Sequence, residues 1–153
     1  MASAAGKLEL EVEVKSAVDK YWAAIKDSTN LFPKIFPQQY QSIEVVEGDG
    51  VSVGSVRLVK FGEGIPVITC SKEKIDVSDE EKKLVSYSVI DGDLINLYKT
   101  FKAHFQLAPK GDGSLVKWSI EYEKAADEVP DPILFQDFAS QTFAQLDEHL
   151  LKA

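Results

Sequence analysis

The sequence predicts an α+β fold, a curved antiparallel sheet of seven strands wrapped around one long C-terminal helix. Three patterns carry this prediction. Residues 7–15 alternate apolar and charged, residues 41–123 break into β-prone runs separated by turn chemistry, and residues 134–150 change to a helical period.

In the first run, Leu8, Leu10, Val12 and Val14 share one face and Glu9, Glu11 and Glu13 the other. That is a half-buried strand, and its glutamates read as a solvated face rather than paired catalytic carboxylates. Ser16 is placed to cap a short helix over Ala17–Asp27, where Val18, Tyr21, Trp22 and Ile25 recur at helical spacing. In the segment that follows, Leu31–Pro37, the prolines permit only a short helix or turn, ended by Pro37.

Six further strands are expected over 41–47, 54–61, 66–77, 83–90, 96–107 and 114–123. Gly62-Glu-Gly64, Ser78-Asp-Glu-Glu81, Asp91-Gly-Asp93 and Lys110-Gly-Asp-Gly113 are the turns of an antiparallel meander. Gly48, Gly50 and Gly54 join the first two strands of this series. A dinucleotide motif needs a helix directly after its glycines, and a Walker A loop needs Gly-Lys-Ser/Thr; here a strand follows and Gly54 precedes Ser55-Val56. The glycines then serve positive backbone angles in a tight connection. With Asp49 among them and no lysine, anion capture is weak.

After Val129-Pro-Asp-Pro132, an apolar stripe runs through Leu134, Phe135, Phe138, Ala139, Thr142, Phe143, Leu146 and Leu150. Asp131 can cap this helix, with Pro132 at its first position. A strongly curved sheet around such a helix, with aromatics facing inward, tends to leave space between them.

Composition narrows the function. A length of 153 residues suits a single domain over 1–153. Seventeen basic against twenty-five acidic side chains give a net charge of −8, which opposes nucleic acid and anionic membrane surfaces as partners. One cysteine, Cys70, excludes an internal disulfide framework, and its strand-like flanks suit a small buried hydrophobe. No signal peptide or run of ~18 apolar residues is present, so a cytoplasmic location is expected. Two histidines, His104 and His149, form no ligand cluster, so no metal and no cofactor are expected. His149 reads as a surface residue on the last helical turn.

The alternation assigns walls to the cavity. Strand 96–107 presents Lys99, Phe101, Ala103 and Phe105 on one face and His104 on the other, unless a bulge reverses them. Lys99 on the inward face would balance a ligand carboxylate or act as a base. Strand 83–90 offers Val85, Tyr87 and Val89, and strand 114–123 offers Val116, Trp118, Ile120 and Tyr122. Strand 54–61 offers Arg57, Val59 and Phe61, or the opposite set Val56 and Leu58. The helices add Phe32, Phe36, Leu134, Phe138 and Thr142. Tyr87, Tyr122 and Thr142 supply polar tips, and Tyr87, Lys99 and Tyr122 are the acid/base candidates. An entrance is expected between Gly62–Ile65, Asp91–Ile95 and Pro130–Phe135.

The glycine-rich stretch 45–65, with Asn30-Leu-Phe-Pro-Lys34 before it and Tyr87-Ser-Val-Ile90 after it, resembles the plant major latex proteins. These are a branch of the birch-pollen-allergen superfamily, which includes the class-10 pathogenesis-related proteins. Tyr98-Lys-Thr-Phe101, Gly113-Ser-Leu-Val-Lys-Trp118 and Asp147-Glu-His-Leu-Leu151 extend the likeness from about Leu8 to Leu151. The resemblance implies a helix-grip, START-like fold that encloses a large internal apolar cavity, and places Phe32, Phe61, Tyr87 and Phe138 in its wall. It implies a cytosolic carrier for small hydrophobic plant metabolites or hormones, of terpenoid, phenolic or alkaloid class, linked to stress responses. The partner would be a small hydrophobic molecule, and the chain a monomer or weak dimer. The alternative is a cofactor-free cyclase, isomerase or condensing enzyme using the same cavity. The ribonuclease reading of the class-10 branch is rejected: its lysine, glutamate and tyrosine fall on Arg57, Asp147 and His149.

Overall fold

The computed structural model describes residues 5–63 and 69–152. In chain order it comprises β1 (Ala5–Val14), α1 (Val18–Lys26), α2 (Ser28–Ile35), β2 (Tyr40–Glu47), β3 (Val56–Phe61) and β4 (Cys70–Asp79). Next come β5 (Leu84–Gly92), α3 (Leu94–Leu97), β6 (Tyr98–Lys110), β7 (Gly113–Lys124) and α4 (Ile133–Lys152). The strands form one seven-stranded antiparallel sheet in the order β1-β7-β6-β5-β4-β3-β2. This is the helix-grip arrangement.

Helix α4 buries Ala139, Thr142, Phe143, Leu146 and Leu150 in a core shared with Tyr21, Trp22, Phe105 and Val116. Each fully buried large apolar side chain contributes ~1.5–3 kcal/mol. The stripe, rather than helix propensity, therefore holds α4 in place. Leu134 departs from the prediction and is exposed. At 3.6 residues per turn it lies roughly 130° around the helix from the centre of the buried face.

Ser16 is not the side-chain cap of α1, whose N-cap is Ala17. Its hydroxyl instead donates to Asp147 Oδ1 at 2.6 Å, and the backbone N–H groups of Lys15 and Ser16 donate to the same carboxylate at 2.9 Å. A carboxylate from α4 thus anchors the chain just before α1. Tyr21 Oη adds a bond to the Phe143 carbonyl at 3.0 Å.

The strand at 96–107 starts later than its sequence suggests, because Leu94–Leu97 form the helical turn α3. Pairing with β7 then slips between Tyr98 and Thr100. This bulge buries Tyr98 and Phe101 alike and leaves Lys99 exposed between them. A second slip, between Tyr40 and Ser42 on β2, sends Tyr40 inward. In the loop after β2, Gly48, Gly50 and Gly54 all have positive φ. Asp49 Oδ1 accepts the Val51 and Ser52 N–H groups at 2.8 and 2.7 Å, so the loop's own carboxylate takes its backbone donors. These bonds hold Asp49 well below the usual carboxylate range, the Ser52 N–H contributing most.

Candidate functional site: an apolar cavity with one polar end

Between the concave face of the sheet and α4 lies a cavity of about 170 Å³. It is smaller than expected, since drug-sized ligands occupy sites of roughly 300–1,000 Å³. Aromatic rings account for the difference. Phe101 meets Phe135 edge-to-face at 5.6 Å, and Tyr40 packs on Phe32 and Phe138 at 5.4 and 5.5 Å.

Of the residues assigned from sequence, Phe32, Arg57, Val59, Phe61, Tyr87, Val89, Phe101, Trp118, Phe138 and Thr142 line the cavity. On β3 the Arg57 set faces it. Phe36 stands one layer back, supporting Phe32 edge-to-face at 5.4 Å. Val85 is on the expected face but beyond Arg57, beside a void of about 20 Å³ that Trp22, Ile25 and Ile75 also wall. Ile120 is fully buried behind the wall among Phe101 and Leu94. Lys99 and Leu134 are outside the cavity, one displaced by the bulge and the other by helical phase.

Tyr122 is also absent from the wall. Its hydroxyl donates to Asp131 Oδ1 at 2.9 Å, and Lys124 Nζ lies 3.0 Å from the same oxygen. Burial and then that carboxylate push the Tyr122 pKa up to about 12. The Asp131 carboxylate thereby braces the start of α4 against β7.

The polar end was not assembled from sequence. Arg57 and Glu73 are direct cross-strand partners on β3 and β4, with Nη2 3.2 Å from Oε1. Arg57 Nη1 donates to Ser28 Oγ at 2.7 Å and Thr29 Oγ1 at 3.3 Å, and its Cζ lies 5.2 Å from the Tyr87 ring centroid. Burial alone would lower the Arg57 pKa; Tyr87 and Glu73 outweigh it and hold the group charged. Burial, followed by the Glu73 charge, raises the Tyr40 hydroxyl well above its ordinary range. Glu73 and Ser71 face inward with Ile75, the one apolar residue between Cys70 and Asp76. That parity is the signal that could have found them.

A further constellation emerges on the opposite face of the sheet. Ser86 Oγ is 2.7 Å from His104 Nδ1, and His104 Nε2 is 2.7 Å from Glu121. The order is that of a hydrolytic triad. However, Ser86 is only 4% exposed and none of the three lines either cavity, so this is a polar cross-strand ladder. His104 therefore faces away from the cavity.

Residues 3–153 match the model of the pathogenesis-related protein Bet v 1 family. The chain belongs to that family. It is 50% identical over 147 residues to MLP-like protein 423 of Arabidopsis thaliana, covering 96% of this chain and 95% of that protein. The solved ginseng major latex-like protein 151 of Panax ginseng superposes with a TM-score of 0.88 at 31% identity, over 97% of this chain and 99% of that one. Norcoclaurine synthase from Thalictrum flavum superposes at 0.83 with 21% identity, over 99% and 89% of the two chains, and shares the fold. The relatives thus agree with the major latex likeness read from the motifs. The Bet v 1 family binds small hydrophobic ligands.

Proposed function

We propose that this chain is a cytosolic carrier for small hydrophobic plant metabolites or hormones, held in the cavity between sheet and α4. The observation that carries the reading is the wall itself. Apolar and aromatic side chains surround the space, and a few hydrogen-bonding groups gather at one end, the usual make-up of a small-molecule pocket. An engineered cavity of about 150 Å³ accepts benzene, so a small single-ring phenolic is accommodated here without rearrangement. Leu94 and Phe135, from two of the three expected entrance segments, line the wall; of the third, Gly62 and Glu63 do not, and Gly64 and Ile65 lie outside the described residues.

The net charge and the lack of a helix long and apolar enough to span a membrane, among the described residues, favour a freely diffusing carrier. A cofactor-free enzyme would need an acid or base facing the ligand. Of Tyr87, Lys99 and Tyr122, only Tyr87 lines the cavity, and burial raises its pKa, making it a poor proton donor near neutrality; Tyr40, also in the wall, is raised likewise, and Glu73 is paired with Arg57. The test is native mass spectrometry after incubation with terpenoid, phenolic and alkaloid extracts, with the small molecules analysed before and after. A retained, unchanged apolar ligand supports the carrier. Conversion of the extract by sub-stoichiometric protein overturns it in favour of an enzyme.

A further inference from the structure

The polar end carries more information about the ligand than the apolar walls do. Beyond Arg57 only the void of about 20 Å³ remains, room for about one water. The guanidinium is therefore the end wall of the main cavity. It has five N–H donors. The bonds to Ser28, Thr29 and Glu73 engage three, and Nε is buried with no partner. The guanidinium lines the cavity and keeps N–H capacity that an oxygen delivered by a ligand can use, although Nε itself is shut off from the open space.

We propose that the ligand docks with an uncharged hydrogen-bond-accepting oxygen, a carbonyl or hydroxyl, against Arg57, and that Arg57 is the donor that sets this specificity. The inference rests on the cavity being the ligand site. Charge balance separates a neutral acceptor from a carboxylate. Glu73 already neutralises Arg57 at 3.2 Å, so a second carboxylate would leave an unbalanced negative charge in a buried site. The remaining polar groups of the wall, including Tyr40, Ser71 and Thr142, bring no further cation. Arg57 is the one cation among the described residues of the wall, so a ligand oxygen finds its strongest donor at that end. The oxygen therefore fixes which way the molecule enters.

The test uses the full chain and three molecules of nearly equal shape: isopropylbenzene, acetophenone and benzoate, titrated by calorimetry. Acetophenone pays more than isopropylbenzene to leave water, so in a wall without a donor it binds more weakly. Here it is expected to bind at least as tightly, with benzoate weaker than acetophenone by about tenfold or more. Arg57→Lys keeps the charge opposite Glu73 but removes the guanidinium fork. It should weaken acetophenone about tenfold more than it weakens isopropylbenzene. If that variant fails to fold, the wild-type ranking alone decides. Isopropylbenzene binding more tightly than acetophenone, or equal loss of both on Arg57→Lys, overturns the inference while sparing the carrier reading. Benzoate binding tightest would make this an anion site and overturn it equally. Failure of all three to bind removes the cavity reading and this inference with it.

Discussion

At one end of the cavity, α2, β3 and β4 bring Ser28, Arg57 and Glu73 together beneath the Tyr87 ring; at the other, Val89, Leu94, Phe101 and Phe135 meet without a titratable side chain in the wall. Behind that apolar end, Tyr98 and Tyr122 turn their hydroxyls away, to the Pro130 carbonyl and to Asp131. The contrast separates two jobs. Apolar packing tolerates changes of shape and decides how large a ligand fits. A buried ion pair tolerates little, because removing either partner strands the other charge.

The largest effect expected from breaking this contrast is at the polar end. Arg57→Met leaves Glu73 facing an apolar space and should cost about 3–5 kcal/mol in denaturant unfolding. Arg57→Met combined with Glu73→Met removes both charges and should recover most of that loss. A single variant as stable as the double would mean the pair is solvated, and the two ends would no longer differ in kind. At the apolar end, Phe101→Ala should cost about 2–3 kcal/mol. This is below the usual range for a core phenylalanine, because one side of the ring already faces the cavity. The same variant should accept a two-ring hydrocarbon that the wild type excludes, measured by titration. Unchanged size selectivity would show that Phe101 does not set the limit.

Two aspartates brace the molecule near these ends, and they should respond differently to acid. Burial alone would raise the Asp147 pKa, but hydrogen bonds from Lys15 and Ser16 outweigh it and the net shift is downward. Its contribution is therefore complete above the unfolded-state value near ~4 and is lost as pH falls through the lower folded value. Asp131 is also shifted down, first by Lys124 and then by Tyr122, but on the surface. Asp147→Asn should thus cost about 1–2 kcal/mol at neutral pH and flatten the fall in stability between ~pH 5 and 2. Asp131→Asn should leave that slope nearly intact. The same acid slope in both variants would mean that burial does not distinguish them.

Much of the fold was legible because a few patterns dominate it. The alternation of Leu8–Val14, the turns between strands and the α4 stripe each permit one arrangement. The apolar half of the cavity followed from the same parity through Val89 and Trp118, while Val59 and Phe61 belong to one of the two faces that parity offered for their strand. The polar half did not, since Glu73 lies in a run of mostly charged residues whose parity rests on Ile75 alone. Its role emerges only when β3 and β4 pair Arg57 with it. Tyr40 was missed for another reason, a slip in pairing that no alternation rule registers.

Lys99 gives the smallest expected effect and the sharpest check on register. Uninterrupted alternation places it in the cavity beside Phe101, as a counter-charge or base. The bulge between Tyr98 and Thr100 instead buries residues on both sides and turns Lys99 to solvent. Lys99→Met should therefore change stability by less than about 0.5 kcal/mol and leave ligand affinity as it was. A tenfold loss of affinity would put the lysine back in the cavity, remove the bulge, and give the apolar end the charge that now distinguishes its opposite.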